Sequence, residues 1–239
     1  MRKNIVPLII IAVAILTLSA VTYVIAGADP EDKLVALTYD DGPHPKYTSE
    51  ILDVLKKHNA QATFFMLGER AKELPDVVLR MYHEGHSIGN HTYDHTELTR
   101  LNDKGIILQI NRTNDIIEGI TGMRPILMRP PLGLRNKRID DLINGQNMYN
   151  ILWNVDPVDW DSKGAELIHN AVAKKVQNGD IVILHDFYPN TVTATDMILT
   201  TLGARGYRFV TVDDLLRFDE KAAREDVYYS GRPENKTWR

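Results

Sequence analysis

The stretch TYDDGPHP, residues 38–45, sets two carboxylates, Asp40 and Asp41, side by side at the end of an apolar run and then turns the chain through Gly42 and Pro43. Adjacent carboxylates repel each other and resist burial, so the pair is either a solvated turn or the seat of a cation. Farther along, HTYDH carries His91 and His95. Four residues apart on one turn of helix, both imidazoles would face the same way and could share a metal. An H-x-x-x-H pair alone is a weak signal. Joined by an acidic pair, two histidines and one carboxylate make the ligand set of a catalytic Zn²⁺, with a fourth position left open for water. One aspartate would then bind the ion, whose charge makes the second aspartate tolerable.

Such residues need a scaffold that gathers them. From Lys33 onward, short β-rich runs alternate with amphipathic stretches. The runs are LVALTY (34–39), ATFFML (62–67), HSIGN (86–90), PILMR (125–129), YNILW (149–153), IVILH (181–185) and YRFVTV (207–212). Between them, helical periodicity covers 48–59, 72–85, 104–122, 165–179 and 193–206, and several of these stretches stop at glycine. Repeated strand–helix alternation predicts a parallel sheet, open or closed into a barrel, with its chemistry at the carboxyl ends of the strands. Those ends carry Asp40 and Asp41, then His91 and His95, then Arg129, then Asp156, Asp159 and Trp160, and finally His185.

At 239 residues and 44% hydrophobic, the chain can bury one substantial core. A net charge of −4 gives no electrostatic case for nucleic acid, and the absence of cysteine excludes structural disulfides and thiolate metal sites. Residues 1–32 read as a separate object. Arg2 and Lys3 precede an uncharged segment from Ile5 to Ala26, long enough to span the membrane, and Ala26-Gly27-Ala28 offers a cleavage site. Uncleaved anchor and cleaved signal both stand, and both export the chain from Lys33 onward. Residues 217–239 lose periodicity and nearly half of them are charged, which predicts a polar surface tail.

TYDDGP, HTYDH, RPP, DPVDW and LHD, in this order, resemble the motifs of the polysaccharide deacetylases, carbohydrate esterase family 4 or the NodB-homology domain. The resemblance covers 33–216. It implies a distorted (β/α) barrel, a divalent metal (Zn²⁺ foremost, Co²⁺ as an alternative) and hydrolysis of N-acetyl groups on aminosugar polymers such as peptidoglycan or chitin-like oligomers. Carried over by motif, Asp40 is the general base, and Asp41, His91 and His95 are the metal ligands. Arg129 orients the base, His185 is the general acid, and Asp159 pairs with that histidine. Trp160, Leu132 and Pro131 belong to the sugar groove, with the Leu132 backbone N–H as an oxyanion donor. The partners expected are a polysaccharide and, through the N-terminal segment, a membrane; a monomer is expected. Leu132 departs from the family pattern, which usually has an aromatic there, and Ile183 stands where leucine is usual. Two rival functions remain at this level, an O-acetyl esterase on acetylated polysaccharide and a non-catalytic wall-binding module. Which polymer is attacked is not written in the sequence.

Overall fold

The computed structural model describes residues 33–216 and 227–231. The apolar segment 5–26 lies outside them, and among the described residues no helix is long and apolar enough to cross a membrane. Eight strands form one sheet: β1 (Lys33–Asp40), β2 (Thr63–Met66), β3 (Ser87–Asn90), β4 (Leu127–Met128), β5 (Tyr149–Ile151), β6 (Asp180–His185), β7 (Tyr207–Phe209) and β8 (Val227–Tyr228). Their order is β6-β1-β2-β3-β4-β5-β8, with β7 on the amino-terminal half of β1, and every pairing is parallel. Bridges from Val155 to Val182 and from Ser230 to Asp180 link the far side of the sheet back to β6, so the sheet curls into a distorted barrel.

Helices cover the outside: α1 (Tyr47–Lys57), α2 (Gly68–Glu73), α3 (Pro75–His83), α4 (Asp103–Thr121), α5 (Lys137–Gly145), α6 (Ala165–Lys175), α7 (Pro189–Ala204) and α8 (Val212–Leu216). In β1 the two-residue period sends Val35, Leu37 and Tyr39 into the cluster shared with Ile51, Leu52 and Leu55 of α1. Ala36 packs in a second cluster with Phe65, Leu127, Tyr149 and Ile181. Thr38 and Asp40 alternate with the first set, and both meet Arg129. A polar tip on an apolar interior is how this barrel opens to chemistry.

Three expectations need correction. The stretch 72–85 is not one helix. Pro75 lacks the N–H that would continue α2, so the chain breaks at Leu74 and α3 starts with proline in its first turn. Helix α5 forms where no helix is expected, because KRIDDLING is mostly polar and buries only Ile139, Asp140 and Ile143, although its amino-terminal cap is legible: Asn136 accepts a hydrogen bond from Ile139 N. The tail is not wholly a surface appendage. Val227 and Tyr228 pair with β5 and are buried, the Tyr228 ring lying 6.2 Å from that of Tyr149, because burying a valine and a tyrosine outweighs the polarity around them.

Candidate active site

Register aligns the site. Asp40 pairs with His185 on one side and Phe65 on the other, Met66 pairs with Asn90, and Asn90 pairs with Met128. One residue beyond those last pairs stand His91 and Arg129, so the strand ends deliver Asp40, His91, Arg129 and His185 to a single rim. The rim opens into a cavity of about 390 Å³, lined by Asp40, Asp41, His91, His95, Leu132, Trp153, Asp156, Trp160, Ile183, His185 and Tyr188.

Arg129 is fully buried, yet every part of its guanidinium is used. Nη1 donates to Asp40 Oδ1 at 2.7 Å and to Thr38 Oγ1 at 2.8 Å; Nε and Nη2 donate to the carbonyls of Ile151 and Leu152. The guanidinium also lies 4.0 Å over the Phe65 ring. A buried ion pair this well satisfied holds its geometry. Burial raises the Asp40 carboxyl above its ordinary value, and the Arg129 charge opposes that shift only in part.

His91 is buried and donates from Nδ1 to the Arg129 carbonyl at 2.7 Å, which leaves its Nε2 lone pair facing the acidic pair. Burial lowers its pKa to about 3, so it is neutral, the form that ligates metals. Its Nε2 lies 3.5 Å from Asp41 Oδ1, and His95 Nε2 lies 3.4 Å from the same oxygen. These separations match the edge, about 3.4 Å, of a tetrahedron with bonds of about 2.1 Å. Asp41 Oδ1 is buried without a hydrogen-bond partner, as an oxygen reserved for a cation would be. Asp41, His91 and His95 are the group of metal-capable side chains found among the described residues, their ligand atoms within 4.8 Å of one another. The donor set therefore fits a divalent ion.

The histidines do not meet across a helical turn. Residues 91–97 form an irregular loop with left-handed backbone at Thr92 (φ 71°) and His95 (φ 63°), and the two rings come within 5.1 Å through that loop. Helix α4 and Asn90 hold it. Asn90 Nδ2 donates to Asn114 Oδ1 and to the Ile110 carbonyl while its Oδ1 accepts from Thr92 N. Gln109 accepts from Tyr93 N and donates to Asp94.

On the opposite wall, Asp159 is buried and fully engaged. Oδ1 meets His185 Nδ1 at 2.7 Å, and Oδ2 accepts from His185 N and from Thr191 Oγ1. Burial by itself would lower the His185 pKa. The Asp159 hydrogen bond and charge, with the charges of Asp40 and Asp41, overcome it and raise the value to about 9. Trp160 and Leu132 are 56% and 59% exposed at the cavity mouth. Pro131 is buried and does not line the cavity, unlike the groove role expected of it. Leu132 sits in the left-handed region (φ 59°), and among the described residues its N–H has no acceptor, whereas the next two N–H groups donate to Pro130 and Pro131. Trp153 packs against the second core cluster and also lines the cavity, and Tyr188, absent from the residues expected at the rim, lines it too. An aromatic pair directly after LHD was the available signal for Tyr188.

Comparison with known proteins points to one family. The family model described as polysaccharide deacetylase matches residues 27–151. The peptidoglycan-N-acetylmuramic acid deacetylase PdaC of Bacillus subtilis is 44% identical over 187 residues, 78% of this chain but 39% of that protein, so the chain spans well under half of that relative's length. A peptidoglycan-N-acetylglucosamine deacetylase of Bacillus cereus is 40% identical over 197 residues, 78% of this chain and 90% of that one. The solved structure of PdaC superposes with a TM-score of 0.76, covering 80% of this chain and 93% of the other. A pseudoenzyme of carbohydrate esterase family 4 from Bacillus anthracis, 30% identical, superposes at 0.73, covering 78% and 66%.

Proposed function

Because the chain belongs to the polysaccharide deacetylase family, we propose that it removes N-acetyl groups from the aminosugars of peptidoglycan, outside the cytoplasm, with a divalent ion held by Asp41, His91 and His95. One observation carries the reading. An orphaned carboxylate oxygen faces two histidine nitrogens, between a buried Asp40 clamped by Arg129 and a His185 clamped by Asp159.

When bound, a divalent ion polarises an acyl carbonyl and acidifies water. The chain's own groups do the rest. Asp40 takes the proton of the attacking water; Arg129 fixes Oδ1, and burial makes the carboxylate a stronger base than one at the surface. The Leu132 N–H donates to the oxyanion that forms on the acetyl carbon. Protonated His185, its Nδ1–H given to Asp159, delivers a proton from Nε2 to the sugar nitrogen. The C–N bond then breaks, leaving acetate and a free amine. Trp160 and Leu132 offer apolar faces to the sugar rings at the cavity mouth.

Residues 33–216 form the catalytic domain in this reading, and segment 5–26 carries it across the membrane, as anchor or as cleaved signal. The test is acetate release by the purified chain from peptidoglycan, chito-oligosaccharide and acetylxylan, with and without chelator. Chelator-sensitive release from peptidoglycan is expected. Release from acetylxylan alone would make it an O-acetyl esterase, and release from none would make it a binding module.

A further inference from the structure

Beside the acidic turn lies a carboxylate that this mechanism leaves unused. Asp186 follows His185 at the tip of β6 and has no exposed surface. Its Oδ2 accepts a hydrogen bond of 2.5 Å from Thr48 Oγ1 in the first turn of α1, and Thr48 Oγ1 accepts from His44 N at 2.7 Å. The same carboxylate presses on Gly42: a methyl group placed there would lie 2.1 Å from Oδ2 and 2.3 Å from Oδ1. Gly42 does not adopt left-handed backbone, so glycine is required there for space and not for conformational freedom. The turn after the acidic pair, the start of α1 and the end of β6 therefore all meet on one carboxylate. The turn needs such support, because Asp41 is held at φ 72°, a region that costs a residue with a side chain about 1 kcal/mol or more.

We propose that Asp186, together with Thr48, is a positioning residue for Asp41: it seats the 41–44 turn so that Asp41 Oδ1 stays within 3.5 Å of both histidine nitrogens. The role is steric and hydrogen-bonding, and Asp186 touches neither substrate nor ion. The proposal rests on Asp41, His91 and His95 being the ligands.

Zn²⁺ titration of the chelator-stripped full chain by calorimetry tests it, with the melting midpoint of the metal-free protein as the check on folding. Asp186→Ala and Gly42→Ala should each weaken binding by about 10- to 100-fold, the range for losing a group that orients a ligand. Their effects should not add, because the alanine methyl at 42 occupies the space that Asp186→Ala vacates. In the double variant, affinity should lie within about threefold of Asp186→Ala alone, whereas additive losses overturn the proposal. Asp186→Asn, which keeps the shape and an acceptor for Thr48, should bind nearly as the parent does; a loss equal to that of alanine would make charge the cause and overturn it too. If the two alanine variants fail to fold, Thr48→Val carries the test, and unchanged affinity there refutes the proposal. His95→Ala is the separate control: full Zn²⁺ affinity in that variant rejects the ligand assignment itself, independently of Asp186.

Discussion

Asp40 and Asp41 are neighbours with opposite fates, and the difference is one of partners. Asp40 is buried against a guanidinium, whereas Asp41 leaves an oxygen unbonded before two imidazoles. Asp40→Asn should keep the metal and lose activity by about 10²- to 10⁴-fold, the usual share of a general base. Asp41→Asn should lose the metal first. Elemental analysis beside kinetics decides, and equal metal loss in both would reject the division of labour. A second residue reports on stability. His86 is buried, accepts a hydrogen bond from Ala62 N at Nδ1, and is pushed by burial to about 4. Unfolded, it titrates near 6.5, so between those values the unfolded chain holds a proton that the folded one refuses. Stability from this group is complete above about pH 6.5 and falls as the pH drops toward 4, by about 3 kcal/mol in all. His86→Asn, whose Oδ1 can accept from Ala62, should flatten the acid limb of a denaturation-against-pH curve by up to one proton. An unchanged slope would mean that the histidine is not the source.

At the scale of elements, two short segments matter more than their length suggests. The Pro131–Gly133 turn presents Leu132 to solvent while leaving its N–H free of acceptors within the described chain. Leu132→Tyr should add a stacking face worth on the order of 1 kcal/mol, lowering KM for a chito-oligomer with little change in kcat. A large fall in kcat at constant KM would remove the turn from the oxyanion site. Strand β8 is only two residues long, yet Tyr228 is 3% exposed. Tyr228→Ala should cost about 3 kcal/mol in chemical denaturation, as for other buried aromatics. A loss under about 1 kcal/mol would show that β8 adds little to the sheet.

For the whole molecule, the proposed ligands come from two different connections of the sheet, Asp41 after β1 and the histidines after β3. An ion bound between them ties those connections together in the folded state alone. Saturating Zn²⁺ at about a hundred times its dissociation constant should add about 2.7 kcal/mol. That corresponds to roughly 5–10 °C in Tm for a domain of this size, reversed by EDTA. Calorimetric scans that coincide with and without the ion would contradict a site spanning both connections. The barrel also explains why the rim is dependable: every pairing between its named strands is parallel, so those strands point their carboxyl ends the same way.

Residue type and spacing alone were enough to predict the alternating strands and helices, the rim they share and the acidic and histidine pairs on it, because periodicity and motif are local properties of a chain. The roles proposed for Arg129, Asp159 and His185 rest on resemblance, since an isolated arginine or aspartate carries no local mark of its partner. Tertiary structure decided the rest. It broke 72–85 at Pro75, drew Val227 and Tyr228 into the sheet, and brought His91 to His95 through left-handed loop residues instead of a helical turn. It also set Asp186 against Gly42, far apart in the chain, where a glycine is explained only by what packs on it. Contacts of that kind depend on register and packing between distant segments, which no local pattern encodes.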